Sequence, residues 1–85
     1  MSDFDKTVPF DFSSDLDNPV RSILRIVCEA MREKGYEPSN QLIGYIVSGD
    51  PTYVTAHKNA RSLISSIDRD DILEEFVTYY INELE

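Results

Sequence analysis

The feature that most constrains the fold is a stretch of chain with a helix-start signal at one end and a helix-stop signal at the other. Asn18 can cap free backbone N–H groups, and Pro19 has no N–H to leave unpaired at the first helical position. Gly35 is a typical stop, and Arg32 and Lys34 suit the negative end of the helix dipole. Between these signals the apolar residues recur three and four positions apart, at Val20, Ile23, Leu24, Val27 and Met31. The stretch therefore predicts an amphipathic helix with one face in a core.

Two further segments carry a helical pattern and end near turn signals. We predict a second helix at about 39–48, ended by Gly49, and a third at about 55–67. Their apolar residues are Leu42, Ile43, Ile46 and Val47 in the second helix and Ala60, Leu63, Ile64 and Ile67 in the third. Gly44 lies inside the second helix, where the lack of a side chain predicts close approach by a neighbouring helix.

The last segment has a broader apolar face than packing against one neighbour requires. It begins after Asp68, whose side chain can cap the helix, and Asp70 and Asp71 suit the positive end of its dipole. Its apolar residues recur as adjacent pairs one turn apart. We expect one edge of this face to pack on its own subunit and the other on a second copy. The candidate dimer-interface residues are Phe76, Val77, Tyr79, Tyr80, Ile81 and Leu84.

Residues 1–17 differ in kind from the rest of the chain. They carry five aspartates against Lys6 and have no helical period, so they have little apolar surface to offset the entropy of ordering. We interpret 1–17 as a disordered acidic tail and 18–85 as a helical dimerisation domain. The apolar residues of the tail alternate with polar ones, a pattern able to lie along a groove or add a strand when a partner binds. These residues are Phe4, Val8, Phe10 and Phe12.

The whole sequence predicts an all-α protein, a compact four-helix unit behind the tail, present as a homodimer. The core of a chain of 85 residues supplies limited stability, so outside support is expected. Cys28 is the only cysteine, and no clustered His and Cys ligands suggest a structural metal, which leaves self-association as the simplest support. The sequence has neither an apolar run of bilayer length nor a signal-peptide pattern, so we expect a cytoplasmic protein without membrane insertion.

Catalytic residues are hard to find in this chain. A nucleophile needs a base beside it, and Cys28 and His57 are the only residues of their types. We interpret Cys28 as a core thiol. We interpret His57 as solvated or locally hydrogen-bonded, because the sequence shows no partner for it. The glycines are dispersed and form no phosphate-binding loop. We therefore predict no enzymatic activity and no cofactor.

The charged residues leave two alternatives open. A small divalent-metal-dependent enzyme would use a carboxylate cluster, although helix capping and a solvated face explain that cluster better. Its members are Asp68, Asp70, Asp71, Glu74 and Glu75. A nucleic-acid accessory protein would use the arginines Arg21, Arg25, Arg32 and Arg61. The net charge of −8 argues against a general affinity for nucleic acid, and no aromatic platform accompanies the arginines.

Thr7 is the remaining candidate, within Asp5-Lys6-Thr7-Val8-Pro9-Phe10. A threonine in an exposed tail is accessible to kinases, and phosphorylation would add about −1.5 to −2 charges. Composition alone nevertheless favours an unmodified threonine.

A set of short motifs, taken in their order and spacing, closely resembles the IreB family, also called YrzL. The motifs are Gly35-Tyr36-Glu37-Pro38, Asn40-Gln41, Gly44-Tyr45, Ser48-Gly49-Asp50-Pro51, Tyr53, Asn59-Ala60-Arg61, Arg69-Asp70-Asp71-Ile72 and Tyr79-Tyr80. Each piece alone would be weak evidence. The resemblance covers nearly the whole chain from Thr7 onward.

The resemblance implies a small, cytoplasmic, non-enzymatic regulator from Gram-positive Firmicutes. The family's namesake is a helical homodimer that negatively regulates cephalosporin resistance and is phosphorylated on tail threonines by a membrane-anchored Ser/Thr kinase. Thr7 aligns with a family tail threonine, so the resemblance implies a phosphosite there. Phe4 stands where the namesake has another tail threonine, and Ser39 and Thr55 also depart from the usual family residues. The implied partners are a second copy, the kinase and an unidentified downstream protein.

Overall fold

The computed structural model describes residues 18–85, and within them the protein is all-helical. The helices are α1 (Pro19–Glu33), α2 (Pro38–Ser48), α3 (Ala60–Ser65) and α4 (Arg69–Leu84), with short 3-10 turns at Pro51–Tyr53 and His57–Asn59. The prediction of four helices and no strand is confirmed for this part of the chain. The predicted acidic tail, with Thr7, lies outside the described residues.

Helix α1 begins and ends where the local signals predict. The Asn18 side chain accepts a hydrogen bond from the backbone N–H of Arg21 (3.2 Å), and Pro19 is the first helical residue. At the other end Gly35 adopts φ +84°, and its N–H donates to the Arg32 carbonyl (3.0 Å). The next N–H, that of Tyr36, reaches back to α1 as well, which completes the usual hydrogen-bond pattern of a glycine stop.

The core forms around α1, which contacts each of the other three helices. Of the apolar residues predicted for its inner face, Leu24, Val27 and Met31 are buried, while Val20 and Ile23 are half-buried at its start. Among residues 18–85 the buried hydrophobic side chains are Leu24, Val27, Ala30, Met31, Leu42, Tyr45, Val54, Ala60, Ile64 and Ile72. Pro38, the first residue of α2, is buried as well. This small set agrees with the limited core expected of a short chain.

Helix α2 divides its apolar residues between the core and the surface. Leu42 is buried, but Ile43 and Val47 are 60% and 78% exposed. Gly49 ends the helix with φ +76°. The sequence analysis predicted that a neighbouring helix approaches Gly44, and this prediction was wrong. A Cβ at this position would overlap the ring of Tyr53, so the glycine makes room for an aromatic side chain and not for a neighbouring helix.

The predicted third helix, 55–67, is wrong in its length. Lys58 and Asn59 adopt φ +54° and +63°, left-handed conformations that cannot continue an α-helix, so α3 begins only at Ala60. Ala60 and Ile64 are buried, as the apolar pattern predicted. The two left-handed residues create a tight turn directly before α3.

Helix α4 starts directly after Asp68, with Asp70 and Asp71 in its first turn as predicted. The predicted side-chain cap is wrong, because the Asp68 carboxylate makes no capping hydrogen bond. The backbone carbonyl of Asp68 accepts from the N–H groups of Asp71 (3.0 Å) and Ile72 (3.2 Å) instead. Among the helices of residues 18–85, none is long and apolar enough to cross a membrane.

Candidate functional site

The broad apolar face of α4 is mostly exposed among the described residues 18–85. Ile72 is the one buried residue of this helix. All six candidate interface residues are exposed, from 37% at Phe76 to 65% at Leu84, and Leu73 is exposed beside them. We call the set Leu73, Phe76, Val77, Tyr79, Tyr80, Ile81 and Leu84 the α4 row. Since the chain's own core uses little of the row, its breadth remains available to another molecule.

Two grooves flank the α4 row. The larger, of about 570 Å³, lies between α2 and α4, and we call it the α2–α4 groove. Buried or half-buried apolar side chains form its floor, and the exposed Ile43, Val47 and Leu73 extend it onto the surface. Its lining is Cys28, Arg32, Glu37, Pro38, Ser39, Leu42, Ile43, Ile46, Val47, Leu73 and Phe76. The sequence analysis missed this groove, although the adjacent apolar pairs of α2 signal two apolar faces.

The smaller groove, of about 270 Å³, lies between α1 and α4, and we call it the α1–α4 groove. Its lining is Arg21, Leu24, Arg25, Cys28, Glu75, Phe76 and Tyr79. Cys28 and Phe76 line both grooves, so the two meet at these side chains. Arginines line the α1 side, while the floor between the helices is largely apolar.

An ion pair fastens α4 to the first turn of α1. The Arg21 guanidinium donates to Oε2 of Glu75 from Nε (3.1 Å) and Nη2 (3.0 Å). The Asn18 amide donates to Oε1 of the same carboxylate at 3.0 Å. The hydrogen bond from Asn18 is the main cause that lowers the pKa of Glu75, with Arg21 adding to it, and partial burial opposes them. The carboxylate is therefore held in its charged form by two residues of α1's start.

Glu75 was one of the carboxylates proposed to bind a metal ion, and here its side chain is paired with Arg21 instead. Within residues 18–85, no three His, Cys, Asp or Glu side chains lie together as a metal site would need. The metal-enzyme alternative gains no support from the geometry.

Three of the four arginines of the nucleic-acid alternative lie along α1, and the fourth, Arg61, lies on α3. Arg21 contacts Glu75, and Arg61 donates from Nε to the buried Val54 carbonyl at 2.8 Å, which ties α3 to the preceding turn. Arg25 and Arg32 are exposed along α1 and line the two grooves. The nucleic-acid alternative also gains no support.

A second charged cluster holds the left-handed turn before α3. Glu33, the last residue of α1, places Oε1 2.8 Å from Nε2 of His57 and Oε2 3.0 Å from Nζ of Lys58. The contact with His57 is the largest cause that lowers the pKa of Glu33, and the Glu33 carboxylate raises the pKa of Lys58. The interpretation of His57 as solvated or locally hydrogen-bonded was wrong in its partner, because the hydrogen bond is not local. Its partner lies 24 residues away, which explains why the local sequence showed none.

Cys28 is half-buried where the two grooves meet. Burial raises the pKa of its thiol, and the nearby Arg32 charge offsets this only in part. A raised pKa disfavours the thiolate, the nucleophilic form, so the position suits packing better than catalysis.

Together the grooves and the α4 row form an exposed, largely apolar surface on an all-helical scaffold. The family model for the IreB regulatory phosphoprotein matches residues 5–82. The chain belongs to the IreB family. The match ends at Asn82 in the last turn of α4, so it covers almost the entire sequence and confirms the resemblance. Membership in the IreB family supports a regulatory role.

Proposed function

We propose that the protein is a non-enzymatic regulator that acts as a homodimer and is a substrate of a bacterial Ser/Thr kinase at Thr7. The observation that carries this proposal is the match to regulatory phosphoproteins over residues 5–82, a range that includes Thr7. A further protein would distinguish the phosphorylated form from the unphosphorylated form by binding them differently. The proposed location is the cytoplasm.

The α4 row supports self-association. It places large apolar side chains along one helix, and tyrosines such as Tyr79 and Tyr80 are enriched at protein interfaces. Two copies related by a two-fold axis would present the same row to each other, the commonest symmetry of small oligomers. Burial of the row would also add hydrophobic stabilisation to a domain whose own core is small.

The position of Thr7 supports phosphorylation as the switch. It lies eleven positions before Asn18, the cap of α1, in a segment with five aspartates. A phosphate would add about −1.5 to −2 charges and three acceptor oxygens to this segment. A change of that size alters which charged surfaces the segment can contact, without any rearrangement of the core.

Light scattering tests the dimer. At micromolar concentration the protein should have twice the chain mass of 9.8 kDa. Tyr80→Asp, which places a charge in the α4 row, should shift it towards the monomer. The matched control is Thr78→Asp, since Thr78 is exposed on the polar side of the same helix, one turn from Glu74. A folded wild-type monomer at these concentrations would contradict the proposal.

Labelling by the cognate kinase tests the phosphosite. The wild-type protein should incorporate phosphate, and Thr7→Ala should remove it. Thr78→Ala is the control, because it deletes an exposed threonine from the helical domain and should leave labelling intact. Undiminished labelling of Thr7→Ala would rule out the assignment to Thr7.

A further inference from the structure

The two grooves combine an apolar floor with arginines on their α1 side, and one carboxylate also lines each groove, Glu37 in the α2–α4 groove and Glu75, the partner of Arg21, in the α1–α4 groove. Along α1, Arg21, Arg25 and Arg32 follow one another at spacings of four and seven residues and line the grooves. The floor beside them includes Leu24, Leu42 and Phe76. A segment that fits this surface needs large apolar side chains separated by carboxylates.

This chain contains such a segment immediately before α1. Residues 10–16 read Phe-Asp-Phe-Ser-Ser-Asp-Leu, which alternates two aromatic rings with an aspartate and then adds a second aspartate and a leucine. An extended peptide of this kind places alternate side chains on opposite sides, so Phe10 and Phe12 can face a groove together. The segment matches the grooves in both apolar character and charge.

The segment is also tethered within reach. The described chain starts at Asn18, the cap of α1, and the α1–α4 groove begins one turn later at Arg21. Eight extended residues span at most about 26–29 Å, whereas a helix of α1's length rises about 22 Å. Tethering raises the effective concentration to roughly the millimolar range, so even a weak contact would be well populated.

We propose that residues 10–16 dock in the grooves of their own chain and run back along α1, with Phe10 and Phe12 on the apolar floor, Asp15 near Arg25 and Asp11 near Arg32. Docking of this kind is independent of the proposed function, because it holds whether or not Thr7 is modified. Phe76 and Tyr79 lie at the boundary between the α1–α4 groove and the rest of the α4 row. Leu73 also lines the α2–α4 groove, and the rest of the row, Val77, Tyr80, Ile81 and Leu84, stays available to a second copy.

The thiol of Cys28 gives a direct test, because it is the only cysteine and lies where the grooves meet. The rate of its reaction with an aromatic disulfide reagent is measured on the full chain at one pH. A segment docked nine-tenths of the time protects the thiol about tenfold, so Phe10→Ser/Phe12→Ser should raise the rate by up to about tenfold. Phe4→Ser is the matched control, since it removes a tail aromatic that the proposal leaves undocked, and its rate should equal that of the wild type.

A second measurement is independent of the thiol. Amide chemical shifts of Leu24, Phe76 and Tyr79 should move in the Phe10→Ser/Phe12→Ser variant and stay in place in the Phe4→Ser variant. Equal thiol rates in wild type and double variant would overturn the proposal, as would an equal increase in the Phe4→Ser control. Protection that grows with protein concentration would also overturn it, because the groove would then be covered by another copy. Light scattering on the same samples reports the dimer separately.

Discussion

Helices α1 and α4 are nearly equal in length, with 15 and 16 residues, yet they use their apolar faces in opposite ways. α1 buries four side chains and contacts every other helix, whereas α4 buries Ile72 alone and exposes the α4 row. Both patterns look amphipathic in the sequence. Helical periodicity thus predicts that a face is apolar but not which molecule covers it. In this protein α1 is the centre of the described core, and α4 leaves most of its apolar side chains exposed.

The two helices should differ most in how much unfolding free energy is lost when one of their large apolar side chains is truncated. Met31→Ala removes a fully buried side chain of α1 and should lower the free energy of unfolding by about 2–5 kcal/mol. Leu84→Ala removes an exposed side chain of α4 and should cost the monomer less than about 0.5 kcal/mol. Urea unfolding at several protein concentrations measures both.

The concentration series sharpens this contrast. The cost of Met31→Ala should be the same at every concentration, while that of Leu84→Ala should grow as dimerisation becomes linked to folding. If Leu84→Ala lowered the free energy of unfolding as much as Met31→Ala at the lowest concentration, the contrast between the two helices would be contradicted.

A smaller effect is expected at the residue that joins the two helices. Asn18 caps α1 and donates to Glu75 of α4, so Asn18→Ala removes a cap worth about 1 kcal/mol and a charge-assisted hydrogen bond together. We expect a loss of about 1–2 kcal/mol of unfolding free energy. Asn82→Ala, an exposed asparagine in the last turns of α4, is the control and should be near neutral. A loss no greater than the control's would show that α4 does not depend on this junction.

The Glu75 carboxylate should make the same junction sensitive to pH. Its folded pKa lies below the ordinary value of 4.5, so the unfolded state binds the proton more readily. The stabilisation, about 1 kcal/mol for a partly exposed ion pair, is present above pH 4.5 and is lost as pH falls through the folded pKa. Wild type and Glu75→Gln should differ in unfolding free energy at pH 7 and converge towards pH 3. A constant difference over this range would mean that the charge is not what joins the helices.

The smallest effect is expected at the opposite end of α1. Glu33 is exposed and contacts His57 and Lys58, so Glu33→Gln should loosen the left-handed turn while global stability barely changes. Hydrogen exchange should accelerate at the amides of residues 58–60 only. Glu29→Gln, one turn earlier on α1, is the control. If exchange is unaltered in both variants, the ionic contacts are not what holds the turn.

The parts of the fold that sequence reasoning predicted depend on local signals. The ends of α1 follow from Asn18, Pro19 and Gly35, each of which acts through its own backbone or that of near neighbours. The start of α3 depends on the turn at Lys58 and Asn59, which is held by a carboxylate 25 residues earlier in the chain. A contact across that distance leaves no local pattern, so the predicted helix was too long.

The candidate site was predicted only in part for a related reason. The exposed α4 row follows from adjacent apolar pairs that one packing contact cannot absorb, and these pairs are visible in the sequence. The two grooves depend on how three helices meet, and they use Ile43 and Val47, which the sequence grouped with buried Leu42. Phosphorylation at Thr7 rests on family membership, because a single threonine among aspartates carries no structural signal.

The α4 row also sets the colloidal behaviour of the protein. At neutral pH the charge of −8 repels copies from one another, so only a well-matched contact brings two rows together. Near the isoelectric point of about 4.4 that repulsion vanishes while the apolar side chains stay where they are. With the charge repulsion gone, the exposed α4 row favours contact with any neighbouring molecule, so we expect acidification to this range to precipitate the protein.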